Sequence, residues 1–197
     1  SRNLLSPIKN PSEILGGLTE RVANRLGLSA GIPVLVGAGD YPTALLGSGA
    51  CEAGLGSDVT GTSTIMTIIH DNPVMHPNVS NLLEPSGNWG SFTLLDAGGD
   101  AIRWARRAFH ENQRSYDEVD KAAIQAAAGS SSLFFLPYLN GERFSNAPNS
   151  RAQFFGLTSG HGSAELHRSI LEGVAFSVRL RLDALQGSAG RPERFVA

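Results

Sequence analysis

The spacing of apolar residues divides the chain into alternating strand and helix signals. Over residues 19–27, Val22, Ala23 and Leu26 share a helical face, Thr19 stands where an N-cap would and Gly27 where a C-terminal glycine would, which predicts a short helix. Pro33-Val34-Leu35-Val36 is a continuous apolar run bounded by glycines, the pattern of a buried, parallel strand. It ends in Gly37-Ala38-Gly39-Asp40, and residues 42–46 read as the first turn of a helix that tolerates Pro42. Residues 57–69 are dense in β-branched side chains apart from Gly61-Thr62-Ser63, predicting two strands joined by a tight polar turn.

Further along, residues 89–95 read as a strand and 101–109 as a helix, with Gly98-Gly99 at the junction. Residues 116–128 read as a second helix closed by Gly129, and Leu133-Phe134-Phe135-Leu136 as a buried strand stopped by Pro137. The strongest signal comes last. Leu166, Ile170, Val174, Val178, Leu182 and Leu185 recur at spacings of four and three, predicting a helix over 163–185 with one almost wholly apolar face. Strands and helices mixed throughout argue for an α/β chain with a sheet flanked by helices.

Composition narrows the function classes. With 197 residues, the chain is long enough for one substantial core and a piece of another. Hydrophobic residues at 41% and charged residues at 17% argue against disorder. A net charge of -2 gives no electrostatic reason to expect nucleic acid or an anionic membrane. The single cysteine, Cys51, cannot form an internal disulfide, and no apolar run approaches the ~18 residues of a membrane span. The chain therefore reads as soluble and cytoplasmic. Its 23 glycines, well above the average share of about 7%, point to tight turns or bare backbone.

The chemistry-bearing residues each admit two roles. Asp40 follows a predicted strand in a glycine-rich segment, where it can serve as a general base toward a hydroxyl or cap the next helix. Gly61-Thr62-Ser63 offers backbone N–H groups and two hydroxyls, suited to phosphate oxygens and equally to an ordinary hairpin. Gly98-Gly99 can bring backbone close to a nucleotide or simply pack strand against helix. Glu142 and Arg143 fit a substrate clamp less well than an ion pair tying down a loop, and Glu172 fits a satisfied core carboxylate. A phosphate loop of the Gly-x-x-x-x-Gly-Lys type, a Gly-x-Gly-x-x-Gly fingerprint and paired cysteines are all missing. His70 and His76, like His161 and His167, are six apart, which places no two ligands on one helical face and argues against a zinc site. Gly47-Ser48-Gly49 matches the serine-hydrolase elbow only in part.

Taken in order, several of these segments resemble the FGGY carbohydrate kinases, with the xylulose kinases as the nearest branch. They are Gly37-Ala38-Gly39-Asp40, Gly61-Thr62-Ser63, Gly98-Gly99 with Trp104, Leu136-Pro137-Tyr138-Leu139-Asn140-Gly141-Glu142-Arg143, and Phe155-Gly156-Leu157-Thr158. The most specific piece is Ala152-x-Phe154-x-Gly156-Leu157 followed, after a gap, by Glu165-Leu166-x-x-Ser169-Ile170-Leu171-Glu172, which resembles the family's second signature. The resemblance implies a ribonuclease-H-like, actin-like α/β fold of two domains, and phosphoryl transfer from ATP to a sugar hydroxyl. By the same resemblance, Asp40 would be the base, Asp40 and Tyr41 would meet the sugar, and Gly61, Thr62, Ser63 and Gly99 would meet the nucleotide. Mg2+ would arrive with ATP, held largely by phosphate and water, with no metal site of the chain's own.

Departures from the pattern shape further expectations. Family members are considerably longer and begin with an Asp-x-Gly-Thr motif that this chain lacks. It is therefore expected to be an internal fragment, with residues 1–52 ending the first, sugar-binding domain and 53–197 beginning the second, ATP-binding one. Alone it is expected to have no kinase activity. Tyr41 and Pro42 stand where the family often has small residues, which leaves the sugar open among a pentulose such as xylulose, other polyols and a sugar acid. The implied partner is a small-molecule sugar, with neither nucleic acid nor membrane, and a homodimer is left open. A noncatalytic actin-like or sugar-sensing protein is the competing class.

Overall fold

Side-chain alternation along β4 (Thr64–His70) explains how the chain is layered. In the computed structural model, which describes residue 4 and residues 6–110, 112–143, 148–186 and 190–197, β4 pairs antiparallel with β3 (Leu55–Thr60) on one side and β6 (Trp89–Leu95) on the other. β5 (Ser80–Leu83) lies antiparallel outside β6, and β9 (Arg194–Val196) lies parallel to β3, giving the order β5-β6-β4-β3-β9. Met66 and Ile68 face the helix α5 (Ser163–Gln186), where they pack with Val178, Leu182 and Leu185. One residue out of phase, Thr67 and Ile69 face α2 (Asp40–Ser48), where Ile69 packs with Leu45 and Tyr41 and the Thr67 hydroxyl bonds the Tyr41 hydroxyl. A strand covered on both faces must be apolar on both, which is why β4 reads as a run rather than an alternation.

The first fifty residues form a smaller layer. α1 (Glu20–Leu26) lies between β1 (Ile14–Gly17) and β2 (Pro33–Leu35), and Gly27 ends it at φ 68, as its sequence predicts. β2 differs from expectation: it pairs antiparallel with β1, and Val34 and Leu35 are 39% and 53% exposed. An apolar run specifies an extended strand, but its direction and the cover on its faces come from distant segments.

Helices α3 (Gly98–His110), α4 (Tyr116–Gln125) and α5 pack together beside the short pair β7 (Phe134–Leu136) and β8 (Gln153–Phe155). α4 starts with a capping box between Ser115 and Glu118. It stops three residues before the predicted end, because Ala126 is extended and Gly129, Ser130, Ser131 and Ser132 all take positive φ. The left-handed region costs roughly 1–2 kcal/mol per non-glycine residue, so this turn needs an anchor. Glu172 is that anchor, accepting from the Gly129 N–H at 3.0 Å and the Ser130 hydroxyl at 3.1 Å while paired with Arg168 at 2.7 Å. Burial pulls its carboxyl upward, but these donors outweigh it and hold the group below its usual range.

Two predicted faces are revised. In β7 only Phe135 is buried, with Phe134 and Leu136 exposed, because β7 joins a two-stranded pair and not the central sheet. On α5 the buried stripe is His167, Ser169, Ile170, Gly173, Ser177, Arg181 and Leu185, whereas Leu166, Val174, Val178 and Leu182 are half-buried at its margin. Gly173 belongs there because a Cβ would come within 2.2 Å of the Phe135 carbonyl oxygen. Arg181 belongs there because Glu142 neutralises it at 2.5 Å and the Leu94 and Ser177 carbonyls accept from its Nε and Nη1.

Glu84, in the turn between β5 and β6, is 2% exposed, and burial pushes its carboxyl up to about 7 against a weaker opposing bond from Ser86. Its Oε1 has no hydrogen-bond partner among the described residues. Because the folded group ionises later than the unfolded one, its contribution to stability is fully present below about pH 4.5. It is lost as pH rises toward 7, by at most about 3 kcal/mol. Glu84→Gln is accordingly expected to match the wild type in urea unfolding at pH 4.5 and exceed it at pH 8. An equal difference at both pH values would refute that assignment.

Candidate active site

The polar turn predicted at Gly61-Thr62-Ser63 closes the β3–β4 hairpin. Gly61 N–H donates to the Ser63 carbonyl at 2.8 Å, and the N–H groups of Thr62 and Ser63 donate to nothing among the described residues. α3 grips the turn from the side. Asp100 N–H donates to the Thr62 carbonyl at 3.0 Å, and the Arg103 guanidinium donates to the Thr62 hydroxyl at 3.2 Å. Arg103 also pairs with Asp100 at 3.6 Å.

Such an approach requires the glycine pair at the start of α3. A Cβ on Gly99 would lie 2.0 Å from the Gly61 carbonyl oxygen, and one on Gly98 would lie 2.1 Å from the Thr64 hydroxyl. Close packing of strand against helix is thus what Gly98-Gly99 does in this structure. It brings the positive end of a 13-residue helix to the turn.

Asp40 is the leading residue of α2, whose N-cap is Gly39 in an extended conformation. Asp40 therefore does not occupy the cap position that its sequence context allowed. Among the described residues its exposed carboxylate accepts only from the neighbouring Tyr41 N–H, at 2.8 Å, and the helix end favours its negative charge. The Thr43 hydroxyl reaches back to the Gly39 and Asp40 carbonyls at 2.7 and 2.9 Å, fixing the start of the helix.

Tyr41 turns the other way. Its ring packs against Phe92 at 5.7 Å and its hydroxyl bonds Thr67, so it ties α2 to β4. Burial raises its phenol above the ordinary value, against the Thr67 bond, with the Glu84 and Asp58 charges adding to the rise. β4 is the ruler joining the two regions. Tyr41 touches it at Thr67 and Gly98 at Thr64, three residues apart or about 10 Å along the strand.

Glu142 and Arg143 do not form a pair with each other as their most prominent contact. Glu142 takes Arg181 of α5, while Arg143 takes Asp96 at the end of β6, its Nε donating at 2.8 Å and its backbone N–H at 3.1 Å. The ion-pair role expected from the sequence is what the geometry shows, with two partners instead of one. Together they pin the loop after β7 beside the start of α3.

Arg103 was missed by motif reading, although the signal was present. It lies four residues after Gly99 and so on the same face of α3. Asp58 was missed too; its carboxylate accepts from the Thr60 hydroxyl at 2.7 Å, just below the turn.

The turn presents unpaired N–H groups, hydroxyls and a guanidinium, a donor set that fits phosphate oxygens. Among the described residues no group of three or more His, Cys, Asp or Glu side chains could hold a metal ion. Among the same residues no helix is long and apolar enough to cross a membrane.

Comparison with known proteins gives the family and the fold. The chain is 29% identical over 197 residues to the xylulose kinase of Escherichia coli K12, covering 98% of this chain and 40% of that protein. Among solved structures it superposes on the xylulose kinase of Lactobacillus acidophilus with TM-score 0.89 at 25% identity, covering 99% of this chain and 40% of that one. The gluconate kinase of the same organism gives TM-score 0.90 at 25% identity, with the same coverage. The chain thus spans about 40% of the length of these relatives, and its fold is that of the actin-like sugar-kinase ATPases. The model for the FGGY family of carbohydrate kinases, C-terminal domain, matches residues 57–196, from the β3–β4 hairpin to the last strand, and the chain belongs to that family.

Proposed function

We propose that the protein transfers the terminal phosphoryl group of ATP to a hydroxyl of a small sugar, with Asp40 as general base. The observation that carries this reading is the turn at residues 61–63 with its unpaired N–H groups and neighbouring guanidinium, framed by the start of α3 and joined through β4 to the helix that Asp40 leads. Gly61, Thr62 and Ser63 hold the phosphates, and Gly99, seated on Gly61, keeps the start of α3 beside the nucleotide. Asp40 accepts the proton of the sugar hydroxyl as its oxygen bonds the phosphorus, while the bond to the bridging oxygen breaks and ADP departs with that electron pair. Mg2+ bound with the nucleotide would neutralise phosphate charge.

Residues 1–52 would complete a sugar-binding domain and residues 53–197 would begin the nucleotide-binding one. Tyr41 then serves the sugar side indirectly, by holding the helix that presents Asp40. A pentulose such as xylulose is the favoured acceptor, supported by the xylulose kinases among the relatives. A sugar acid is the second reading, supported by the equally close gluconate kinase. A reducing cytoplasm suits the lone Cys51.

ATP consumption by the full-length protein, measured against pentuloses, hexuloses, polyols and sugar acids, tests the reading. One strongly favoured sugar is the expected result. A folded protein that consumes ATP with none of them would belong instead to the noncatalytic sugar-sensing class.

A further inference from the structure

Building on the reading of residues 61–63 as the phosphate-binding turn, we propose that Asp58 is a positioning residue for nucleotide binding that acts through the hydroxyls of Thr60 and Thr64. Asp58 and Thr60 are two residues apart in β3, so the pleat places both side chains on one face. Cross-strand pairing sets Thr60 opposite Thr64 at the last rung before the turn. The Thr60 hydroxyl donates to Asp58 Oδ1 at 2.7 Å. The same hydroxyl also donates toward the Thr64 hydroxyl at 3.2 Å, so its single proton is shared between the carboxylate and Thr64, with the shorter bond going to Asp58. An ionised carboxylate only accepts, and it therefore orients the Thr60 hydroxyl that also reaches Thr64.

The chain does not end at Thr64. Its hydroxyl oxygen lies against Gly98, where a Cβ would approach to 2.1 Å, and so abuts the start of α3. From that helix, Asp100 and Arg103 hold the far side of the turn through the Thr62 carbonyl and hydroxyl. The turn is thereby gripped from two directions, by α3 on its flank and by the Asp58–Thr60–Thr64 chain across its base. A carboxylate beside a phosphate-binding turn is otherwise unfavourable, since like charges repel. Its bond to Thr60 supplies the reason for its presence.

The test uses ATP and the full-length protein carrying Asp58→Ala, Asp58→Asn or the isosteric Thr60→Val. ATP binding is read by calorimetry, alongside kcat, the KM for each substrate and the melting temperature. Loss of one hydrogen bond, about 1 kcal/mol, predicts ATP binding about five- to tenfold weaker in Asp58→Ala and Thr60→Val. The loss should fall on the KM for ATP, not on kcat or the KM for sugar, and Asp58→Asn, which keeps Oδ1, should restore binding. If Asp58→Ala does not fold, Thr60→Val carries the test. ATP binding unchanged in Thr60→Val, or equally lost in Asp58→Asn, overturns the proposal. If the wild type binds ATP and the variants weaken as expected but no sugar is phosphorylated, the positioning role stands and the sugar-kinase reading falls. A folded wild type that binds no ATP overturns both.

Discussion

Replacing Asp40 by asparagine in the full-length protein is expected to lower kcat by ~10²–10⁴-fold, the usual contribution of a general base, with sugar binding little changed. The geometry makes this substitution a clean one. Asp40 is exposed at the head of α2, the only bond of its side chain among the described residues is the 2.8 Å acceptance from Tyr41 N–H, and asparagine keeps an oxygen to accept it. The helix start also rests on Gly39 and on the Thr43 hydroxyl, neither of which the substitution touches. What disappears is the ability to take a proton. The check is ATP consumption with the preferred sugar, beside calorimetric binding of that sugar. A wild-type rate in the variant would reduce Asp40 to a residue that merely favours the helix end.

Removing Glu142 is expected to have the largest effect on stability. Glu142 is 1% exposed and pairs with Arg181, itself 7% exposed, so Glu142→Ala leaves a cation buried without its neutralising partner. Losing one member of such a pair costs about 3–5 kcal/mol. The consequence spreads beyond the pair, because Arg181 also bonds the Leu94 carbonyl in β6 and the Ser177 carbonyl one turn back on α5. Urea unfolding of the wild type, Glu142→Ala and the double variant Glu142→Leu with Arg181→Met gives the comparison. The double variant should recover most of the loss, since apolar side chains of similar size need no charge partner. A single variant as stable as the wild type would mean that solvent already neutralises Arg181.

The revised faces share one cause. On α5 the periodicity located the helix correctly, yet its stripe of leucine and valine lies beside the buried line that contains Gly173, Ser177 and Arg181. A burial prediction built on hydrophobicity ranks arginine last, and Arg181 is buried only because Glu142, 39 residues earlier, is there to meet it. In β2 and β7, apolar runs specified extended backbone but not the partners that would cover it.

The candidate site shows the same division. Its glycine pair, its polar turn and the carboxylate at a strand-to-helix junction were legible as residue types. Arg103 and Asp58 escaped notice because an isolated arginine or aspartate is ordinary on a surface until a specific hydroxyl stands beside it.

By itself the sequence determined the elements with strong local signals: the β3–β4 hairpin with its three-residue turn, the helix at Gly98-Gly99 and the long final helix all follow from local periodicity, β-branched density and glycine placement, whereas the short strands β1, β5, β8 and β9 carried no such signal. Only the tertiary structure decided that Gly99 lies on Gly61, that the Tyr41 hydroxyl meets Thr67, and that Glu142 and Arg143 part to different partners. The physical reason is range. Backbone preference and side-chain period act within a few residues, whereas close approach and charge pairing depend on groups tens of residues apart that no local pattern records.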